Sequence, residues 1–426
     1  MTDLTPKLLT FELLRKFLED DVVALRGSAK LEPAGGPGDK VFPPTHSVGD
    51  RATTRYAFEK RRIDGRDVDC VLIDSVQSQA NRMEEALEAL WVNKEIALPV
   101  IAVDFSACAP DVGVVTSLSA PHRVADALLR DSLIDGTLFR LSDIGRSFTD
   151  ATAKNAASLF KVCPTGLVFG LWDSTGPKGG KGAKFARAIV SEIVGLNVIF
   201  GAKTESRIDP AGIETASGVL YIKKHDPAVP MKTWTLDSTD AELDGNEPLK
   251  WGSKRDKNGK WKQGSGKPSE ANHSNIPPSI DTLSGGVTID YALHTVVLSL
   301  ASLRKLNFGG NEGEARTVLA ALALLAVLAA DGRGHDLRSR CLLVPKIGEA
   351  LRLEAVNRDG TTQALDIDLK GAISLFNAAV AALPTPLQFT KKKGERLATL
   401  TPSPKLAELV RKSRELAATG VELEGT

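Results

Sequence analysis

The chain has 426 residues, a quarter of them charged, and a formal net charge of +1. That length leaves room for about two or three domains and a large core, while the near-zero charge excludes a whole-protein basic field of the kind that holds nucleic acid non-specifically. Any nucleic-acid site has to be local. Cys70, Cys108, Cys163 and Cys341 stand far apart, with no C-x-x-C pair and no histidine at ligand spacing. They read as buried thiols in a reducing cytoplasm, and no metal or cofactor is expected. The opening MTDLTPKLLTFELL lacks the pattern of a signal peptide, and the apolar run Val318 to Ala330 is short for a bilayer, so a buried helix and no membrane partner are expected.

In chain order, Thr10 to Leu18 patterns as an amphipathic helix, and Val22 to Leu31 as a strand carrying Arg26 and Lys30. After a Gly/Pro loop, RYAFEKRRIDGRDVDCVLIDSVQSQANRMEEALEALW divides into a basic segment, a turn at Asp64-Gly65, a strand from Val68 to Ile73, and a helix. Ser75 or Ser78 caps that helix, and Met83, Ala86, Leu87 and Leu90 form its apolar face. Gln77, Gln79, Asn81 and Arg82 remain; amides mixed with arginine suit a surface that holds sugar and phosphate oxygens, a solvated helix end being the alternative. Pro99 to Ser106 reads as a strand, and APHRVADALLRDS as a helix with His122 and Arg123 near its N-terminus. His122 has no second histidine or acid at triad spacing, which points to a cap or a phosphate contact. Leu138 to Arg146 reads as a short strand and turn, and Lys154 to Phe160 as helical.

The most suggestive stretch is Leu167 to Phe200, LVFGLWDSTGPKGGKGAKFARAIVSEIVGLNVIF, which reads as strand, glycine-lysine loop and helix. Phe185, Ile189, Ile193 and Leu196 recur at helical spacing where the glycines stop, and a helix N-terminus behind glycines favours an anion. Lys178, Lys181, Lys184 and Arg187 add charge. The loop is not a Walker loop, because counting from Gly176 puts Lys181 where the second glycine belongs, and no G-x-G-x-x-G fits. A cradle for a nucleic-acid backbone and a solvated turn with a basic rim both remain open.

From Gly201 to Pro278 no apolar period is sustained, as in an extended insertion with an irregular hairpin around HDPAVP. Its KWGSKRDKNGKWKQGSGKP interleaves Trp251, Lys254, Arg255 and Trp261, a pattern suited to stacking on bases and holding phosphates, or to a mobile loop. Beyond it, Gly285 to Ile289 starts a strand, core helices resume with YALHTVVLSLASLRKL and Ala315 to Ala330, CLLVPK and Thr362 to Leu369 read as strands, and Leu375 to Leu383 and the tail Pro404 to Ala417 as helices.

The runs YAFEKRRIDG, SVQSQANRMEEAL, APHRVADALLRDS, LVFGLWDSTGPKGGKGAKFARAIVSEIVG and YALHTVVLSLASLRKL resemble the backbone subunit of type I-G (formerly I-U) CRISPR Cascade complexes, a Cas-seven-like branch of the RAMP superfamily, from about Leu9 to about Leu383. The resemblance implies an α+β fold: an RRM-like (ferredoxin-like) palm in 1–200 with fingers at about 106–160, a thumb-like insertion at 201–284, the remainder of the palm and a helical part at 285–383, and a helical tail at 384–426. It implies a non-enzymatic protein that binds crRNA, polymerises with copies of itself along the guide, meets the target DNA strand, and joins the large and guide-processing subunits. Inside the matching segments, Arg26, Lys30, Gln77, Gln79, Asn81, Arg82, His122, Arg123, Lys178, Lys181, Lys184 and Arg187 are the candidate guide contacts, with Trp251, Lys254, Arg255 and Trp261 in the insertion. The alternative is a metal-dependent endoribonuclease acting on target RNA, as in type III backbone subunits, with Asp143 or Asp173 in that role.

Overall fold

Alternation along Val22–Pro33 decides the centre of the fold: Leu25, Ala29 and Leu31 are buried, while Arg26 and Ser28 face solvent. The computed structural model describes residues 3–47, 49, 53–175, 182–224, 232–256 and 258–418. They fall into two units, Met1–Gly201 with Gly286–Ala407, and Ala202–Gly285 with Glu408–Thr426.

The elements that build the first unit's main sheet are β1 (Asp3–Leu8), α1 (Phe11–Glu19), β2 (Val22–Pro33), β3 (Phe58–Ile63), β4 (Arg66–Asp74), α2 (Val76–Val92), β5 (Ile189–Leu196), β6 (Tyr291–Ser299), α3 (Glu312–Gly332), β7 (His335–Arg338), β8 (Cys341–Pro345), β9 (Arg352–Asn357), β10 (Thr362–Asp366) and α4 (Leu369–Ala381). The strands lie in the order β1-β10-β9-β2-β6-β5-β4-β3, with β8 also paired to β2, and β7 to β8. Every neighbouring pair is antiparallel except β1 with β10. Consequently β2 and β5 run the same way with β6 between them, and β6 and β9 run the same way with β2 between them. Two strand-helix-strand crossovers, through α2 and through α3, interlock across one sheet.

Local chemistry sets these elements. Thr10 caps α1 and Ser75 caps α2, its hydroxyl oxygen accepting from the Ser78 N–H at 3.2 Å. Asp64 and Gly65 take positive φ in the two-residue β3-β4 turn. Helix α3 is apolar all round, and by length and apolarity alone it would cross a membrane; here Val318 to Ala326 are buried between the sheet and α1, α2 and α4. Its alanines let those neighbours approach closely.

Four expectations are corrected. Residues 184–185 and 189–196 are strand, Lys184–Phe185 pairing Leu171–Trp172 and Ile189–Leu196 forming β5, and Pro164–Phe169 is the helix that precedes them. Pro164 opens that helix, and Gly170 ends it at φ +86, where a Cβ would lie 2.8 Å from Arg187 Cγ. The run IVSEIVGL is rich in β-branched residues, which suit a strand, so it joins the sheet rather than forming a helix. Likewise, Tyr291–Ser299 is the strand β6, and only Leu300–Leu303 after it is helical. Of the expected helix in APHRVADALLRDS, only Arg123–Ala125 (3-10) and Ala127–Arg130 form; Leu138 to Arg146 ends in the helix Asp143–Thr149.

The remaining segments of the first unit make a second sheet, in which Ala398–Pro402 lies between Ile101–Asp104 and Ser132–Ile134. Ile199–Phe200 pairs with Val287–Thr288, and the Gly201 N–H donates to the Gly286 carbonyl at 2.8 Å, so the chain leaves this unit and returns to it at one point. The second unit is a set of short hairpins: Lys203–Arg207 with Ile276–Asp281, Tyr221–Ile222 with Trp234–Thr235, Leu243–Asp244 with Glu247–Pro248, and Lys254–Arg255 with Trp261–Lys262. Its core is small, built on Leu220, Ile222, Ala241 and Leu249.

Candidate nucleic-acid interface

The two faces of the main sheet differ. One carries α2 and α3; the other is polar and partly exposed along β2 and β9, and toward β4 and β5 it carries a small apolar cluster of Cys70, Val194 and Leu196. In register across the open face, Arg26 lies between Glu354 of β9 and Val297 of β6, Ser28 between Arg352 and Thr295, and Lys30 beside Leu293. Arg26 Nε donates to Glu354 Oε1 at 2.7 Å, Lys30 Nζ to Glu349 Oε1 at 3.1 Å, and Lys30 also sits 5.6 Å from the centre of the Tyr291 ring. Farther along, Arg61 of β3 bridges to Glu192 of β5 at 2.6 Å, and that carboxylate holds its guanidinium firmly charged. Arg26, Lys30 and Arg61 thus each keep an acidic partner, whereas Arg352 donates to the Gly348 carbonyl. Pairs as exposed as Arg26–Glu354 and Lys30–Glu349 contribute about 0–1 kcal/mol each, so a phosphate can take the carboxylate's place at little cost. Arg61 and Tyr291 were not singled out in the sequence; the basic run YAFEKRRIDG was the signal for the first.

Next to this sheet, the paired segments Leu171–Trp172 and Lys184–Phe185 form the base of the glycine-lysine loop. Lys184 is exposed and lies 5.1 Å from the centre of the Trp172 ring. Lys178 and Lys181 lie outside the described residues. Among the described residues that follow the loop no helix starts, so a helix end behind the glycines, one of the two reasons for reading it as a phosphate cradle, is removed.

Several candidates turn out to be internal. Arg123 is buried and forks onto Glu84, with two bonds of 2.6 Å, and also donates to the Gly170 carbonyl. Burial pushes the Glu84 carboxyl up, and Arg123 pulls it back down. Arg187 is half-buried beside this pair, and desolvation lowers its pKa. Gln79 is buried and Arg82 half-buried, both bonded to Asp74. Gln77, Asn81 and His122 are exposed. The two carboxylates of the nuclease alternative part company: Asp143 is exposed in the first turn of a short helix, whereas Asp173 is buried against Arg140 at 2.6 Å.

Under the sheet, Asp74, Gln79, Ser191, His294 and His335 form a buried polar chain. Burial, with His335 beside it, pushes the His294 imidazole down from 6.5 to about 4. Its folded value lies below its unfolded one, so the stability it contributes is complete above pH 6.5 and is lost as pH falls toward 4, up to about 3 kcal/mol. Urea midpoints at pH 7.5, 6.0 and 5.0 should fall more steeply in the wild type than in His294→Gln; equal slopes would refute this.

In the second unit, Arg255 stacks on Trp261 at 4.8 Å, and Lys232 lies 5.6 Å from the Trp251 ring, whose N–H donates to the Glu270 carbonyl. Both indoles are half-buried, and Lys254 and Arg255 are exposed on their hairpin.

Residues 25–200, which contain β3 to β5, most of β2 and the glycine-lysine loop, match the family model described as CRISPR-associated protein GSU0053. No curated protein matches the chain. Among solved structures, the crystal structure of Thermofilum pendens Csc2 aligns over 98% of this chain and 86% of its own, at 10% identity and a TM-score of 0.27, which transfers no residue roles. That match spans the first four of the five resembling runs, so over residues 25–200 the chain is similar to a CRISPR-associated family.

Proposed function

We propose that the chain is the crRNA-binding backbone subunit of a type I-G Cascade complex in the cytoplasm, a non-catalytic protein that repeats along one guide and presents it to a DNA strand. Base pairing supplies the sequence specificity and the protein holds the backbone. The observation that carries the reading is the exposed face of β2 and β6 in a chain whose residues 25–200 match a CRISPR-associated family, where Arg26 and Lys30 sit in weak, exchangeable ion pairs with Ser28 between them and Tyr291 beside Lys30. Support for an RRM-like palm comes from the interlocked order β9-β2-β6-β5, which is that of a β-α-β-β-α-β ferredoxin-like sheet. On this reading the second unit's 202–285 is the thumb, 106–160 supplies fingers, and other Cascade subunits meet the ends of the assembly.

Arg26, Lys30 and Arg61 are the palm contacts. Lys178, Lys181 and Lys184 extend the path, Gln77, Asn81 and His122 flank it, and Lys254, Arg255, Trp251 and Trp261 serve the thumb. Gln79, Arg82 and Arg123 support the scaffold from inside.

Expressed with a CRISPR array and its processing partner, the protein should purify as a high-mass assembly holding RNA of defined length. In Arg26→Gln/Lys30→Gln, the slope of log affinity against log salt for a guide-length RNA should flatten by about 1.4, roughly 0.7 for each phosphate that is no longer neutralised. A wild-type monomer free of RNA would overturn the function; an unchanged slope would remove the sheet face from it.

A further inference from the structure

Behind the sheet, on the side away from the open face, the end of α3 brings three side chains from two distant parts of the chain together. We propose that His294, Asp331 and His335 bind a divalent transition-metal ion of the zinc class, tying β6 to the C-terminal turn of α3 and to the first residue of β7. One donor atom from each lies within 4.8 Å of the other two, and the imidazole rings meet edge to face at 5.3 Å.

The hydrogen bonds around His294 fix which nitrogen is free. Gln79 Nε2 donates to Asp74 Oδ2 at 2.7 Å, which turns Gln79 Oε1 toward Ser191, whose hydroxyl donates to it at 3.0 Å. With its proton committed, Ser191 Oγ accepts from His294 Nε2 at 2.9 Å. His294 therefore carries its proton on Nε2 and keeps a bare lone pair on Nδ1. That atom is buried and has no hydrogen-bond partner, in a residue only 4% exposed. His335 is 6% exposed, and its Nε2 is also unpartnered by hydrogen-bond geometry, although Asp331 Oδ1 stands 3.3 Å away. A histidine whose second ring nitrogen donates into an oriented chain is the arrangement that surrounds metal-ligating imidazoles.

Other occupants fit less well. An ion pair between protonated His335 and Asp331 leaves His294 Nδ1 bare. A phosphate needs free cations, but in the wall of the adjoining cavity Arg82 is bonded to Asp74 and the Leu337 carbonyl, and Arg333 to Glu85. Two imidazole nitrogens and one carboxylate select a borderline-soft ion over magnesium or calcium. Ligands about 2.0–2.2 Å from zinc lie roughly 3.4 Å apart, so binding draws the three groups inward by about an ångström. The cavity of about 240 Å³ has room for water as the fourth ligand.

The test uses the full-length chain, stripped with chelator, desalted and titrated with Co²⁺ alone. The expected result is a visible four-coordinate band that saturates at one ion per chain, is displaced by Zn²⁺, and disappears in Asp331→Asn and in His294→Gln. Ser191→Ala, which removes only the positioning hydroxyl, should weaken Co²⁺ affinity by about 10–100-fold while keeping the band. Circular dichroism reports whether each variant folds; should His294→Gln fail to fold, Asp331→Asn decides. No band in the wild type, or the same band in folded Asp331→Asn, overturns the site. Neither result depends on RNA.

Discussion

Replacing Asp74 by alanine is expected to cost the first unit about 3–5 kcal/mol, the range for removing one side of a buried charge cluster. The carboxylate has no solvent exposure, and four donors converge on it: the Ser78 hydroxyl at 2.8 Å, Gln79 Nε2 at 2.7 Å, Arg82 Nε at 3.1 Å and an Arg338 NH2 at 3.0 Å. These come from the start of α2 and from β7, so one side chain joins the first crossover to the strand that follows the second. In Asp74→Ala, two guanidiniums lose their acid, and Gln79 loses the bond that orients it toward Ser191. The arginines are partly exposed and recover some hydration, which places the loss toward the lower end. Asp74→Asn keeps the shape but turns an NH2 group against donors, and should recover little. Urea unfolding followed by circular dichroism would show a lowered midpoint with an unchanged slope; a loss below about 1 kcal/mol would mean that the cluster rearranges around water instead.

A loss of similar size is expected from Arg123→Met, with a distinctive pH signature. Glu84 is 1% exposed, and the Arg123 fork satisfies both of its oxygens. Burial already lifts this carboxyl to about 7 against the pull of Arg123, so removing the arginine leaves it to bind a proton. Its folded value then lies well above the unfolded one of 4.5, so stability is retained below about pH 4.5 and lost as pH rises. Arg123→Met should therefore be markedly less stable at pH 8 than at pH 5.5. The double variant Arg123→Met/Glu84→Leu should regain most of the loss at both, since well-packed apolar groups replace buried ion pairs at little cost. If the single variant shows no more pH dependence than the wild type, the carboxyl is not left stranded.

Elements with a local signature were legible in the sequence. The alternation of β2, the Asp64-Gly65 turn, the Ser75 cap and the apolar α3 all depend on neighbours a few residues away, and all appear as expected. The strands β5 and β6 were misread because both lie deep in the sheet. Leu293 and Val194 on the open side are covered in part by Tyr291, Val68 and Leu72, which blurs the period-two pattern into an apolar run that fits a helix equally well. Side-chain type also hides burial. Arg82 and Arg123 look like surface cations until Asp74 and Glu84 arrive beside them, and the histidine pair exists only because the second crossover carries His335 back beneath β6.

The two-residue ladder of Ile199–Phe200 with Val287–Thr288 has an evolutionary consequence. Since it closes the neck of the 202–285 excursion, the first unit experiences that segment only as a loop with fixed ends, and doubling the length of such a loop costs only about 0.6 kcal/mol. Descendants of this chain can lengthen, shorten or exchange the excursion while the main sheet keeps its register. Whatever the excursion does is then free to diverge separately from what the sheet does.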